Sequence, residues 1–200
     1  MSDERILPEE NRTASGDTKQ KSGFSADLFA WLQALTVALL LLIVVFTFFG
    51  RIIGVDGFSM ESTLDDKDML LLQCIAYEPE QGDIVVLHKN FGEITSPIVK
   101  RVIAVGGQTV EIDYPTSTVY VDGQPIDEPY INETMFPPGS PYMQHTYWEV
   151  PEGSVFVMGD NRNASSDSRD DRLGCVDTRY ILGHALYVIF PFQHFGSVAN

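Results

Sequence analysis

Twenty-two consecutive residues without a charge, from Leu28 to Phe49, set the first constraint on this chain. They read LFAWLQALTVALLLLIVVFTFF, and Gln33 is the one strongly polar side chain among them. At about 1.5 Å of rise per residue, a helix of this length crosses a hydrocarbon core of about 30 Å. A helix in a soluble core shows one polar face, and this segment shows none. It is too long, and starts too late, for a simple cleaved leader. No small-x-small site follows it, and the chain continues Gly50-Arg51-Ile52-Ile53. Residues 26–50 are therefore read as a single transmembrane helix. Arg12, Lys19 and Lys21 precede the span and Arg51 alone closely follows it. That bias predicts a cytoplasmic N-terminus and an extracytoplasmic body at the plasma membrane. Residues 1–25 are polar and lack apolar periodicity, so they are expected to form a disordered cytoplasmic tail.

The remaining residues, 51–200, are enough for one domain with its own core. The net charge is −15 over 200 residues, and its distribution is uneven. Met1 to Arg51 carries five Lys/Arg and six Asp/Glu, a net of −1, which leaves −14 for Ile52 to Asn200. Such an acidic body repels phosphate backbones, which argues against nucleic acid as a partner. The only cysteines, Cys74 and Cys175, form no CxxC and no zinc-type Cys/His cluster. They allow a single disulfide between residues 101 positions apart, or two independent buried thiols, and the second is expected.

Beyond Gly54 the pattern is one of short apolar runs between turn signals. The expected strands are Met69–Cys74, Ile84–His88, Ile98–Val105, Thr109–Ile112, Thr118–Val121, Ser154–Met158 and His184–Phe190. Val121-Asp122-Gly123-Gln124 reads as a tight hairpin, because Asp-Gly suits a turn with positive φ. No long segment of period 3.6 follows residue 50. The fold class is mainly β, an antiparallel sheet body tethered by one N-terminal helix.

Three segments carry candidate chemistry. In the first, Gly57-Phe58-Ser59-Met60-Glu61-Ser62-Thr63-Leu64, Gly57 lies only eight residues past Phe49. A chain that short stays within about 30 Å of the bilayer even when fully extended. A lone serine after a turn is ordinarily a solvated one. In the second segment, Ser96 to Gly107, a strand would set Ile98, Lys100, Val102 and Ala104 on one face. Lys100 can be an edge-strand lysine that snorkels to water. Alternatively, apolar neighbours disfavour its ammonium form and lower its pKa, so that the neutral amine can accept a proton from a serine. Arg101 alternates to the other face; its guanidinium stays charged and suits an ion pair. In the third segment, Gly159-Asp160-Asn161-Arg162-Asn163-Ala164-Ser165-Ser166-Asp167-Ser168-Arg169, turn formers, carboxylates and arginines follow an apolar strand directly. That composition suits either a solvated turn or a tight loop held by Asp–Arg pairs.

Together these segments resemble the type I signal peptidases, a family of membrane-bound Ser/Lys serine proteases. Gly57-Phe58-Ser59-Met60 with Thr63-Leu64 is similar to the nucleophile box, and Gln81-Gly82-Asp83-Ile84-Val85-Val86 to a structural strand box. Val99-Lys100-Arg101-Val102-Ile103 with Gly106-Gly107 resembles the base box. Gly159-Asp160-Asn161-Arg162 with Ser165, Asp167, Ser168 and Arg169 resembles the longest signature, and Gly183 opens the closing segment. The resemblance implies Ser59 as nucleophile, Lys100 as general base, and Ser165 as the hydroxyl that orients the Lys100 amine. It implies an oxyanion and substrate region at Gly57, Ser59 and Met60, with the Ser59 amide as one donor. Some members carry a hydroxyl at the position of Gly57; here backbone or water must serve instead. Ser62 replaces a usual proline, which is expected to loosen the turn slightly. Arg101 with Asp160, and Asp167 with Arg169, are implied as supporting ion pairs. The implied partners are signal-peptide-bearing preproteins, bound as an extended strand and cut after small-x-small motifs, and the lipid bilayer. No metal and no cofactor is implied.

Other readings remain in view. A Ser-His-Asp hydrolase would need one of His88, His145, His184 and His194, yet no G-x-S-x-G elbow occurs. A metalloprotease lacks HExxH. A self-cleaving Ser/Lys repressor would be soluble and carry a DNA-binding domain. A tethered β-rich binding or adhesion module without catalysis would show no depressed lysine pKa and no reactive serine. Phe58 and Met60 fit either an apolar surface near the bilayer or core packing.

Overall fold

The computed structural model describes residues 24–48, 51–131 and 133–198. Arg12, Lys19, Lys21 and the expected tail thus lie outside the described residues, as do Phe49 and Gly50 at the end of the expected span.

The uncharged run forms one helix, α1 (Phe24–Phe48), of 25 residues. It is long and apolar enough to cross a membrane. From Asp27 to Val44 every side chain is exposed, and after Asp27 only Gln33 and Thr36 are polar, too few to make a polar face. The Thr36 hydroxyl donates to the Leu32 carbonyl at 2.8 Å, one turn back. A hydroxyl satisfied within its own helix carries little cost in lipid.

The body begins with β1 (Arg51–Gly54), β2 (Met69–Gln73), β3 (Ile84–Leu87) and β4 (Ile98–Val105). It continues through β5 (Thr109–Asp113), β6 (Thr118–Val121), β7 (Gln124–Pro125), β8 (Tyr147–Glu149) and β9 (Ser154–Met158). It closes with β10 (Val176–Asp177), β11 (Ile181–Phe190) and β12 (Gly196–Ser197). Every strand pairing among the described residues is antiparallel. The larger sheet runs β1-β2-β11-β3-β4-β9-β10, with β12 on β11, and the smaller runs β7-β6-β5-β8. All seven strands expected from the sequence are present. Of the other five, β7 is the partner that the Asp-Gly hairpin calls for, while β1, β8, β10 and β12, of two to four residues each, have no strand expected for them. Two or three residues hold too little alternation to read, and Arg51–Gly54 shows none. Asp122 (φ 52) and Gly123 (φ 73) turn β6 into β7 with positive φ at both central positions, as the Asp-Gly signal predicts.

β3 positions the centre of the larger sheet. All four of its residues are buried. Ile84 and Val86 pack into one core with Leu70, Leu72 and Val99, while Val85 and Leu87 pack into another with Val102, Val155 and Val157. A strand covered on both faces reads as a continuous apolar run. β4, its neighbour, departs from the expected alternation in one respect. Its register with β9 shifts between Val102 and Ala104. Ala104 therefore packs in a third core beside Ile103, and does not share the face of Val102. An extra residue in one strand inverts the facing of those after it. Cys74 and Cys175 are unpaired as expected, but both are only partly buried.

Gly183 in β11 lies against β2 so closely that an added Cβ would fall 2.7 Å from the Gln73 carbonyl oxygen and 3.1 Å from the Leu72 Cβ. Gly183→Ala is expected to destabilise the body by about 1–3 kcal/mol, since backbone cannot yield as a flexible side chain would. Chemical denaturation of the full chain in detergent measures it.

Candidate active site

Residues 57–64 fold into a turn because two of its side chains belong to the core. Met60 is 1% exposed and Leu64 is equally buried, and both pack with Val55 and Leu70. The Leu64 amide donates to the Met60 carbonyl at 2.9 Å, which stacks the two anchors one helical turn apart. Gly57 enters the turn at φ +106, a conformation few L-residues adopt, and its amide donates to Asp66 Oδ1 at 2.9 Å. Phe58 and Met60 divide the two options left open by sequence: Phe58 is 58% exposed, and Met60 is core. Ser59 sits between them.

The Ser62 expectation needs correction. Ser62 lies at φ 78, which proline cannot reach with its ring fixed near −65°. Its hydroxyl donates to the Tyr130 carbonyl at 2.8 Å. The turn is thus tied down at this position, not loosened.

Lys100 lies in β4, and its Nζ is 2.6 Å from Ser59 Oγ and 3.0 Å from the Val99 carbonyl. The residue is 2% exposed. Burial pushes its pKa down to about 8; Arg169 pushes the same way, while Asp167 and Asp160 oppose it. A lysine at its ordinary 10.5 would be neutral about three hundredfold less often at pH 7 than one at about 8. An amine that is neutral a useful fraction of the time, touching a hydroxyl, can take that hydroxyl's proton. An adhesion module has no need of such a lysine. None of the four histidines contacts Ser59 among the described residues. His88 meets the Thr95 carbonyl, His145 meets Asp171, His184 faces Asp83, and His194 meets Asp68.

Three buried arginines and three carboxylates build the frame around this pair. Arg101 grips Asp160 through Nε (2.9 Å) and Nη2 (2.7 Å), and Asp160 also accepts from the Thr63 hydroxyl at 2.6 Å. That bond joins the turn carrying Ser59 to the loop after β9. Arg169 forks onto Asp167 at 2.8 and 2.9 Å and donates to the Arg162 carbonyl at 2.7 Å. Burial raises the Asp167 carboxyl, yet the Arg169 guanidinium, with the Ser165 hydroxyl and the Gly159 amide, outweighs it and holds the pKa below the ordinary value. Arg162 forks onto Glu128 and donates to the Gly159 carbonyl at 3.2 Å. Ser168 exchanges bonds with Val157, accepting from its amide at 2.9 Å and donating to its carbonyl at 3.0 Å. Gly159 has no room for a side chain, because a Cβ would overlap Ser165 Oγ and the Ser59 carbonyl.

The two ion pairs expected from sequence are therefore formed. Ser165 does not fill its implied role here. Its Oγ is buried beside Asp167 and makes no hydrogen bond to Lys100, whose second contact is the Val99 carbonyl. Glu128 and Tyr130 were not anticipated. The Tyr130 hydroxyl donates to Glu128 at 2.9 Å, and its ring lies 3.9 Å beneath the Arg101 guanidinium. One signal could have found them. Arg162 was the buried-loop arginine with no carboxylate assigned, and a buried guanidinium demands one.

Residues 28–190 match the family described as signal peptidase, peptidase S26. The chain is 37% identical over 175 residues to a probable signal peptidase I-1 of Synechocystis sp., covering 83% of this chain and 84% of that one. It is 35% identical over 173 residues to a signal peptidase I of Bacillus licheniformis, covering 83% and 90%. A signal peptidase IB of Staphylococcus aureus is 33% identical over 184 residues, covering 84% and 93%.

Two outcomes follow from the frame. Removing Glu128 leaves the buried Arg162 charge unpaired, so Glu128→Ala is expected to destabilise by about 3–5 kcal/mol in chemical denaturation. Lys100 acts in the opposite sense. Its folded pKa lies below its unfolded one, so the native state binds fewer protons between about pH 8 and 10.5 and gains stability as pH rises through that window. At pH 7 the buried amine costs about 3 kcal/mol. Lys100→Met should therefore raise the unfolding midpoint at pH 7, and the gain should vanish above about pH 10.5. Thermal scans across pH check both signs.

Proposed function

The chain belongs to the signal peptidase family, peptidase S26, and from that premise we propose that it is a membrane-anchored serine endopeptidase that removes signal peptides from exported preproteins, with Ser59 as nucleophile and Lys100 as general base. The observation that carries the reading is the 2.6 Å contact between the Ser59 hydroxyl and a buried amine whose pKa is pushed down to about 8.

The neutral Lys100 amine takes the Ser59 proton as Oγ attacks the scissile carbonyl carbon. The carbonyl oxygen becomes an oxyanion facing the Ser59 amide. As the intermediate collapses, the carbon–nitrogen bond breaks and the Lys100 ammonium returns its proton to the leaving nitrogen. An ester on Ser59 remains, and Lys100 is neutral again. It then deprotonates a water that attacks the ester carbonyl; the bond from that carbon to Ser59 Oγ breaks, the Lys100 ammonium returns its proton to Oγ, and the signal peptide leaves as its acid. With glycine at 57 the hole has no side-chain hydroxyl, so the Ser59 amide carries more of the stabilisation.

The substrate binds as an extended strand. Support comes from the register of β4. Its ladder with β9 starts only at Arg101, paired with Met158, whereas its ladder with β3 already covers Ile98 to Lys100. The other backbone edge of Ile98–Lys100 has no strand partner among the described residues. An extended peptide can add there with main-chain hydrogen bonds, immediately beside the amine. Shallow pockets then select small side chains at alternate positions, giving cleavage after small-x-small. The apolar α1 supplies the anchor, with the N-terminus cytoplasmic, residues 1–25 as the tail, and residues 51–200 as the extracytoplasmic catalytic body.

Cleavage of a preprotein by the detergent-solubilised chain tests the assignment. Ser59→Ala and Lys100→Arg should each abolish cleavage, the latter because a guanidinium does not lose its proton. Wild-type cleavage by both variants would sink the reading. The kcat/KM of the unaltered chain should rise about tenfold per pH unit below about pH 8 and level off above it, since the deprotonated amine is the working form. A flat profile from pH 5 to 9 would count against Lys100 as the base.

A further inference from the structure

We infer that Asn161 is a positioning residue that fixes the Phe58–Ser59 peptide, whose N–H is the oxyanion donor of the proposed mechanism on which this inference rests. The peptide joining Phe58 to Ser59 is planar, so its carbonyl and the Ser59 N–H point to opposite sides. Whatever holds the carbonyl aims the N–H. The Phe58 carbonyl accepts two hydrogen bonds, from Asn161 Nδ2 at 3.1 Å and from the Glu61 amide at 3.2 Å. The next carbonyl, that of Ser59, accepts from the Asn161 backbone amide at 3.1 Å. Asn161 thus grips the main chain on both sides of the nucleophile. The Ser59 N–H itself donates to no group among the described residues. Two donors on the far side of the amide also polarise it, which strengthens the N–H as a donor.

The grip is built into the loop. Asn161 has φ −79 and ψ 81, and the Arg162 amide donates to the Asp160 carbonyl at 3.1 Å, so Asn161 is the centre of an inverse γ-turn. That turn directs both its amide and its side chain at residues 58 and 59. Asp160, one residue earlier, is clamped by Arg101, the neighbour of Lys100. The oxyanion donor and the base are therefore referred to one strand. Asn161 Nδ2 also lies 3.3 Å from Glu61 Oε2. Both neighbours of that nitrogen are acceptors, so the amide group has one sensible orientation. An aspartate of the same size would set oxygen against oxygen at both contacts.

The test uses the full chain in detergent, with Asn161→Asp and Asn161→Ala as independent variants. Four quantities are compared: kcat and KM for a peptide substrate, the affinity of the matching peptide aldehyde, and the affinity of the cleaved product acid. The aldehyde adds to Ser59 as a hemiacetal and calls on the oxyanion donor, and the product acid does not. The expected result is a fall in kcat of about tenfold in Asn161→Ala, and more in Asn161→Asp, with KM within about twofold. Aldehyde affinity should fall in parallel, while product affinity and the pH midpoint near 8 stay fixed. Unchanged kcat in both variants overturns the inference. So does an equal loss of aldehyde and product affinity, or a displaced pH midpoint, since either marks general damage to the site. If the unaltered chain neither cleaves substrate nor captures the aldehyde, the proposed mechanism itself fails; if it does both and the variants match it, only the role of Asn161 fails.

Discussion

The Lys100 amine can sit uncharged against the Ser59 hydroxyl only because water and negative charge are both kept from it. Water is excluded by the strands around β4, which leave the residue 2% exposed. Negative charge is the harder problem in a chain of net −15. Asp160 and Asp167 lie close enough to draw a proton onto the amine. Each is forked onto its own arginine, Arg101 or Arg169, both of them buried. The arginines spend their charge on the carboxylates before the lysine can. Read this way, the buried ion pairs do more than hold the loop. They set the electrostatic background against which burial can lower the lysine pKa.

The same pairs join segments far apart in the chain. Thr63 reaches Asp160, Ser62 reaches the Tyr130 carbonyl, and Arg162 reaches Glu128. Residues 128–130 follow β7 of the smaller sheet, so they link that sheet to the turn carrying Ser59. The smaller sheet contributes no reacting group, yet the segment that leaves its strand β7 supplies the carboxylate that neutralises Arg162. Removing one member of a buried pair strands the other, so these links act as a unit.

What could be read from the sequence follows from how local each signal is. The uncharged span, the longer strands and the Asp-Gly hairpin are written in contiguous residues; Ser59 and Lys100, 41 residues apart, are paired only through the resemblance of their segments to a family. β1, β10 and β12 each lie against a longer strand, and nothing in their own residues announces that. The facing of Ala104 could not be read because a bulge inverts it. Glu128 and Tyr130 sit in a Pro-containing stretch that looks like an ordinary connection, and their importance appears only when Arg162 arrives from 34 residues away. Ser165 is the instructive case. The resemblance gave it a role by position, but the distance between its hydroxyl and the amine is set by packing around Gly159.

Two departures in the turn carrying Ser59 point to a common consequence. Glycine at 57 removes a side-chain donor, and its φ of +106 lets the chain enter the turn with its amide committed to Asp66. Serine at 62 takes a φ of 78 and fastens the far end of the turn to Tyr130. Between them, Ser59 is held from behind by the loop that follows β9, at a distance that only a glycine at 159 permits. On the proposed mechanism the oxyanion then depends chiefly on a single backbone amide. A site with one donor has little tolerance for a tilted peptide, because a hydrogen bond weakens steeply as it bends. The close approach of Gly159 and the double hold on residues 58 and 59 thus answer the same requirement: where a hydroxyl is missing, rigidity of one peptide plane takes its place.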